Sequence, residues 1–160
     1  MATRPYRASE LKPGLILQEI KLSMVCETQS LPPPITSALD LVSLIVPHTR
    51  GQHRETFFAI PLNTKHRPIG IHVVSVGTAS CAIVHPREVF LPAVLTGAAA
   101  LAVAHNHPSG DPCPSSEDRL VTDRLRKAGE VIGIELLDHI VVGDTSFFSF
   151  AADKTLPFPG

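Results

Sequence analysis

His105 and His107 stand at the end of the apolar run 98–104, and Ser115 and Asp118 follow after a Pro108-Ser109-Gly110 turn. On an extended chain, residues at i and i+2 project from the same side. The turn reverses the chain, so the carboxylate of Asp118 can come back to meet both imidazoles. Two imidazole nitrogens and one carboxylate oxygen suit zinc. They leave the fourth tetrahedral position open to water, which is the catalytic arrangement and not the closed structural one. The spacing Ser115-x-x-Asp118 is also close to a helix capping box, with Ser at the N-cap and an acid at N3. The H-x-H pair ahead of a proline-glycine turn tips the reading toward metal, with His105, His107 and Asp118 as its ligands.

H-x-H, seven residues, Ser, two residues, Asp is also the JAMM (MPN+) metalloprotease pattern, met by His105, His107, Ser115 and Asp118. The surrounding HNHPSGDPCPSSED, with VHPREVF before it and LLDHIVVGD after it, resembles the RadC-like branch of that family over residues 35–152. The resemblance implies a JAB/MPN fold, a cytidine-deaminase-like curved mixed β-sheet flanked by helices. It implies Zn2+ as cofactor and hydrolysis of a peptide or isopeptide bond through a zinc-activated water. JAMM enzymes cut ubiquitin-like tails, amino-acid conjugates and ordinary peptides, so a peptide or protein substrate is expected. RadC-like proteins often carry an N-terminal helix-hairpin-helix module, and no segment of this sequence reads as one.

Hydrolysis also needs a base to take a proton and hand it to the leaving nitrogen. In the JAMM family that base is a glutamate at the start of an early strand, which Glu55 in RETFFAIPL matches. Glu88 competes, but VHPREVF reads as helical. By the same resemblance Ser115 donates a hydrogen bond to the developing oxyanion, where the first N–H groups of the helix add positive potential. Asn106, between the two histidines, should point away from the metal by strand alternation. His85 and His139 fit no ligand position of the pattern and are expected to be structural. Cys113, in the ligand loop, carries a soft thiolate that could compete with Asp118. The family pattern assigns it no such place, so it reads as an exposed thiol open to oxidation. There is no H-E-x-x-H, and the contiguous His105-Asn106-His107 is not the dispersed arrangement of an HNH nuclease.

The elements that must position these groups follow an α/β order. Residues 1–34 read as a lead-in with an edge strand in Leu15 to Val25 and a proline-rich turn at 29–34. Thr36 or Ser37 can cap a short helix stopped by Pro47. Arg54 to Leu62 and Pro68 to Val76 read as strands, with Pro61 at an edge or at the strand end. Pro86 opens a helix through REVFLPAVLTG. The run 98–104 is a buried strand that delivers His105, and Ser116 to Val131 is the longest helix. Ile134 to Val142 and Ser146 to Phe150 close the 35–152 domain as strands around a Gly143-Asp144 turn. Residues 153–160 read as a loose tail.

A chain of 160 residues has room for one domain with a real core. Its net charge of −1 gives no global reason to bind nucleic acid or an anionic membrane. No apolar run is long enough to span a bilayer, and MATRPYRASELKPG lacks the apolar core of a secretory signal. Cys26, Cys81 and Cys113 are too few and too scattered for a disulfide framework. A cytoplasmic protein is the expectation. Two other functions compete with the hydrolase. One is a DNA-repair-associated protein, for which Arg119, Arg124, Arg126 and Lys127 cluster on a helix but are diluted by Glu117 and Asp123. The other is a non-catalytic MPN-type interaction module. The Leu15 to Val25 strand could also pair with a second copy as a homodimer.

Overall fold

The structure is a computed structural model that describes residues 32–77 and 84–158. Nine elements follow in order: α1 (Ala38–Thr49), β1 (Thr56–Leu62), β2 (His72–Val76), α2 (Pro86–Thr96), β3 (Ala100–Asn106), α3 (Ser116–Ile132), β4 (Glu135–Val142), β5 (Ser146–Ser149) and β6 (Lys154–Pro157). They form an α/β domain built on a mixed six-stranded sheet in the order β2-β1-β3-β4-β5-β6. Only β3 and β4 run parallel, with α3 as their crossover. This arrangement is consistent with the JAB/MPN fold.

The sheet is covered on both faces, which explains why β1 and β3 are buried at every position. Phe58, Ile60, Leu62, Ala100, Ala102 and Ala104 point into a core closed by Leu41, Val42 and Ile45 of α1. Phe57, Ala59, Leu101 and Val103 point the other way, onto Val89, Phe90 and Ala93 of α2 and Leu125 of α3. The alanines of β3 favour helix as an isolated sequence. Burial between two layers overrides that preference and lets α1 approach the sheet closely. The strand runs on through His105 and Asn106, beyond the apolar run read from the sequence.

Local chemistry sets most element boundaries. Ser37 caps α1 in a reciprocal box with Asp40, and His85 caps α2 through its Nδ1, which accepts from the Arg87 N–H. Gly97 and Gly133 end α2 and α3 in the left-handed conformation. Pro61 lies near the end of β1, where β2 no longer pairs with it.

Three sequence expectations need correction. Pro47 does not stop α1, which continues to Thr49 and closes with Arg50 N–H on the Val46 carbonyl. The proline ring is exposed, so the Ser43 carbonyl it leaves without a donor can face water. The second strand begins at His72 and not at Pro68, which makes only an isolated bridge to Leu62. The tail is not loose at 154–157, because β6 pairs with β5 and Phe158 stacks on Phe147 at 6.0 Å. Its prolines hid the strand, yet an edge strand tolerates proline where no neighbour needs the N–H. The expected edge strand at Leu15 to Val25, with Cys26 and Cys81, lies outside the described residues.

Candidate metal centre

The site forms where β3 ends beside the N-terminus of α3. His105, the penultimate residue of β3, is fully buried and lies face to face with Phe57 of β1, ring centroids 5.8 Å apart. His107 follows the strand, and its N–H continues the ladder by donating to the Val142 carbonyl at 2.9 Å. Its ring is fixed from behind, since Nδ1 lies 2.7 Å from the Asp111 carbonyl. A carbonyl can only accept, so that contact carries the imidazole proton on Nδ1 and leaves Nε2 bare when the ring is neutral.

The turn between the histidines and α3 is docked on the opposite hairpin. Gly110, at φ +81°, presents its carbonyl to the Asp144 N–H at 2.9 Å. A Cβ at Gly110 would run into the Asp144 carboxylate, and one at Gly143 would run into the Gly110 carbonyl. Two glycines facing each other are what allow the loop to lie down here.

Asp118 then enters from the first turn of α3. Its Oδ1 lies 3.2 Å from His105 Nε2, its Oδ2 lies 3.4 Å from His107 Nε2, and the two Nε2 atoms are 3.1 Å apart. His105, His107 and Asp118 thus form a group that could hold a metal ion. Burial opposes the charge of Asp118, but the His105 and His107 imidazoles and the Ser115 hydroxyl hold its carboxyl well below the usual carboxylate range. The Asp118 carboxylate in turn raises the pKa of His107 against the ring's partial burial, with help from the Asp111 carbonyl and the charge of Glu55.

The capping box and the metal-type cluster coexist. Ser115 is the N-cap of α3, and its N–H and hydroxyl both donate to Asp118 Oδ2 at 2.7 Å. That leaves Oδ1 as the carboxylate oxygen without a protein donor other than the histidine side. For Ser115 to reach an oxyanion, its O–H must swing away from Asp118.

Glu55 immediately precedes β1 and is half-buried. Phe57 pairs with His105 in the antiparallel register of β1 and β3, so continuing that register by two residues sets Glu55 opposite His107. Alternation puts it on the face that carries both histidines. Glu88 sits instead in the first turn of α2, in a surface ion pair with Arg87 at 2.9 Å. Asn106 points away from the cluster, as alternation requires. Its Oδ1 accepts from the Thr56 N–H at 2.9 Å and its Nδ2 donates to the Arg54 carbonyl at 3.1 Å. A cleft lined by Arg50, His53, Asn106, His107 and Asp144 opens beside His107.

Cys113 is an exposed free thiol and is not part of the ligand group. His85 is a helix cap. His139 of β4 is where sequence reasoning fell short: it is fully buried, with Nε2 only 2.8 Å from His105 Nδ1 and Nδ1 only 2.6 Å from the Thr122 hydroxyl. Its one sequence signal was a histidine inside the apolar strand run LLDHIVV. Burial, with His105 next to it, pushes the pKa of His139 well down, so the ring is neutral. Arg119 covers the Phe148 and Phe150 rings at 5.8 and 5.9 Å, so that cation of the α3 cluster already has an aromatic contact within the fold. Among the described residues, no helix is long and apolar enough to cross a membrane.

Comparison with known proteins agrees with the geometry. The model of the RadC-like JAB domain matches residues 35–156. A UPF0758 protein of Desulforamulus reducens is 42% identical over 145 residues, which are 91% of this chain and 63% of the relative. A UPF0758 protein of Shouchella clausii is 49% identical over 77% of this chain and 54% of its own length. One from Methanosarcina acetivorans is 45% identical over 72% of this chain and 50% of its own. The chain therefore spans only about half to three fifths of the length of these relatives. A domain match over most of the chain, on a mixed sheet that brings together the His-His-Asp group, makes this protein a member of the RadC-like JAB domain family.

Proposed function

We propose that the domain is a zinc-dependent hydrolase of the JAMM type that cuts a peptide or isopeptide bond. One observation carries this reading: the spacing of the three donor groups. Ligands at about 2.0–2.1 Å around a tetrahedral zinc lie about 3.3 Å from one another. The two Nε2 atoms here are 3.1 Å apart, and the Asp118 carboxylate sets Oδ1 at 3.2 Å from His105 Nε2 and Oδ2 at 3.4 Å from His107 Nε2, so two imidazole edges and a carboxylate face one point. Such a set is repulsive unless a proton on His107 or a metal ion lies between its members. His105 Nε2, His107 Nε2 and a carboxylate oxygen of Asp118 would hold the ion on three sides, Oδ1 being the oxygen that Ser115 leaves unbonded.

Bound zinc would supply an acidified water and a polarised scissile carbonyl. Glu55, on the same face opposite His107, would take the proton from the attacking water and deliver it to the leaving nitrogen. Ser115, released from Asp118, would donate to the oxyanion beside the N-terminus of α3. The cleft beside His107 gives an extended substrate a path to the site.

The test is zinc content of the purified protein beside His105→Ala and Asp118→Ala, followed by cleavage assays of Glu55→Gln. About one zinc per chain, lost in the ligand variants, is the expected result. Glu55→Gln should keep the zinc and lose the cleavage. A wild type that takes up no zinc on reconstitution would leave the capping box as the only work of Ser115 and Asp118, and the interaction-module reading would replace this one.

A further inference from the structure

The buried chain behind His105 has a definite proton order. Thr122 Oγ1 lies 2.6 Å from the Asp118 main-chain carbonyl and 2.6 Å from His139 Nδ1, and His139 Nε2 lies 2.8 Å from His105 Nδ1. Thr122, His139 and His105 are all at most 1% exposed, so these groups satisfy one another and not water. A carbonyl oxygen cannot donate. Two oxygens at 2.6 Å with no proton between them would repel, so the Thr122 hydroxyl proton lies toward Asp118. The Thr122 oxygen must then accept from His139, whose proton sits on Nδ1. His139 Nε2 is left bare and accepts from His105, whose proton also sits on Nδ1. His105 Nε2 therefore carries a lone pair, and that is the atom that faces His107 and Asp118.

We propose that Thr122 and His139 are positioning residues that lock the tautomer and ring orientation of His105 for metal binding. The proposal rests on the zinc reading above and adds to it a device that nothing in the ligand motif contains. The circuit starts and ends on ligand residues: it leaves from the main chain of Asp118 and arrives at the ring of His105. The proton order that presents the His105 lone pair therefore also tethers the first turn of α3. Reversing the chain, with the Thr122 hydroxyl turned onto His139, would put a proton on His105 Nε2 and close the site to metal. Partners of this kind behind a ligating histidine fix its tautomer and raise its basicity. Stacking of Phe150 on His139, ring centroids 4.9 Å apart, holds the middle ring in plane.

The experiment compares zinc affinity by titration in wild type, Thr122→Val and Thr122→Ser, with thermal melts of the metal-free proteins. Long-range proton–nitrogen NMR locates the imidazole protons in the metal-free wild type. The expected result is zinc binding weakened about 10- to 100-fold by Thr122→Val and restored by Thr122→Ser. The wild-type spectra should show the proton of His105 on Nδ1. Wild-type affinity in Thr122→Val would overturn the relay, as would loss that Thr122→Ser does not restore. If the wild type binds no zinc, the zinc reading fails and the relay loses its role with it. A proton on Nε2 and none on Nδ1 of His105 overturns the relay whatever the zinc result, and it decides alone if Thr122→Val does not fold.

Discussion

Ser115 and Asp118 hold each other reciprocally: Ser115 gives its N–H and hydroxyl to Asp118 Oδ2, and its oxygen accepts the Asp118 N–H at 3.1 Å. One carboxylate thus starts a helix through Oδ2 and faces the two histidines, Oδ1 toward His105 and Oδ2 toward His107. A cap of this kind is worth about 1 kcal/mol, so Ser115→Ala should lower stability by about that much in chemical denaturation. It should also weaken zinc binding, because Asp118 loses the bonds that orient it. Unchanged zinc affinity in Ser115→Ala would show that the cap and the metal site are independent.

Asn106 holds the main chain on both sides of Glu55 through Arg54 and Thr56. Removing its amide leaves a buried Thr56 N–H without its acceptor, which costs about 1–3 kcal/mol. Asn106→Ala should therefore be less stable, keep its zinc, and lose turnover more than substrate affinity, since Glu55 is no longer aimed. A cleavage rate equal to wild type would argue that Glu55 needs no such support.

Acid should displace the metal early. In the metal-free protein Asp118 raises the pKa of His107. The stability from that pair is present below the ordinary histidine value of about 6.5 and is lost as pH rises through the raised one. Metal needs the bare nitrogen, so its dependence has the opposite sign: affinity falls on acidification, beginning above about pH 6.5. Calorimetry of zinc binding at neutral pH, in buffers of different ionisation enthalpy, should reveal proton release. Binding without proton release would contradict the His107 assignment.

The two glycines that let the ligand loop lie on the β4–β5 turn make a sharper test of position. A Cβ at Gly143 would meet the Gly110 carbonyl and come within 2.8 Å of Pro112 Cδ. Gly143→Ala should push the loop outward, carry the Asp111 carbonyl away from His107, and weaken zinc binding although no ligand is altered. Gly97→Ala, where a Cβ meets nothing within 4 Å but φ is +64°, is the control. It should cost stability through backbone strain and leave zinc affinity unchanged.

The ligand set was legible in the sequence because it is local. Alternation puts His105 and His107 on one side of a strand end, and the Ser115-x-x-Asp118 spacing ties the carboxylate to the first turn of a helix. Neither depends on the rest of the chain. The helix starts at Ser37 and Pro86 were readable for the same reason, since caps act within one turn. Glu55 was reached only by resemblance, because its place opposite His107 depends on how β1 registers against β3. That register is set by two cores packing on opposite faces of the sheet. The β6 strand was likewise decided by its pairing with β5, and the reach of α1 past Pro47 by the burial of Ile45 and Thr49 on the other face of the helix. His139 is the clearest case. The sequence determined that a histidine would stand in a buried strand. Only the parallel pairing of β3 with β4, under the Thr122 face of α3, decided that its ring would meet His105, because that contact joins residues brought together by the fold alone.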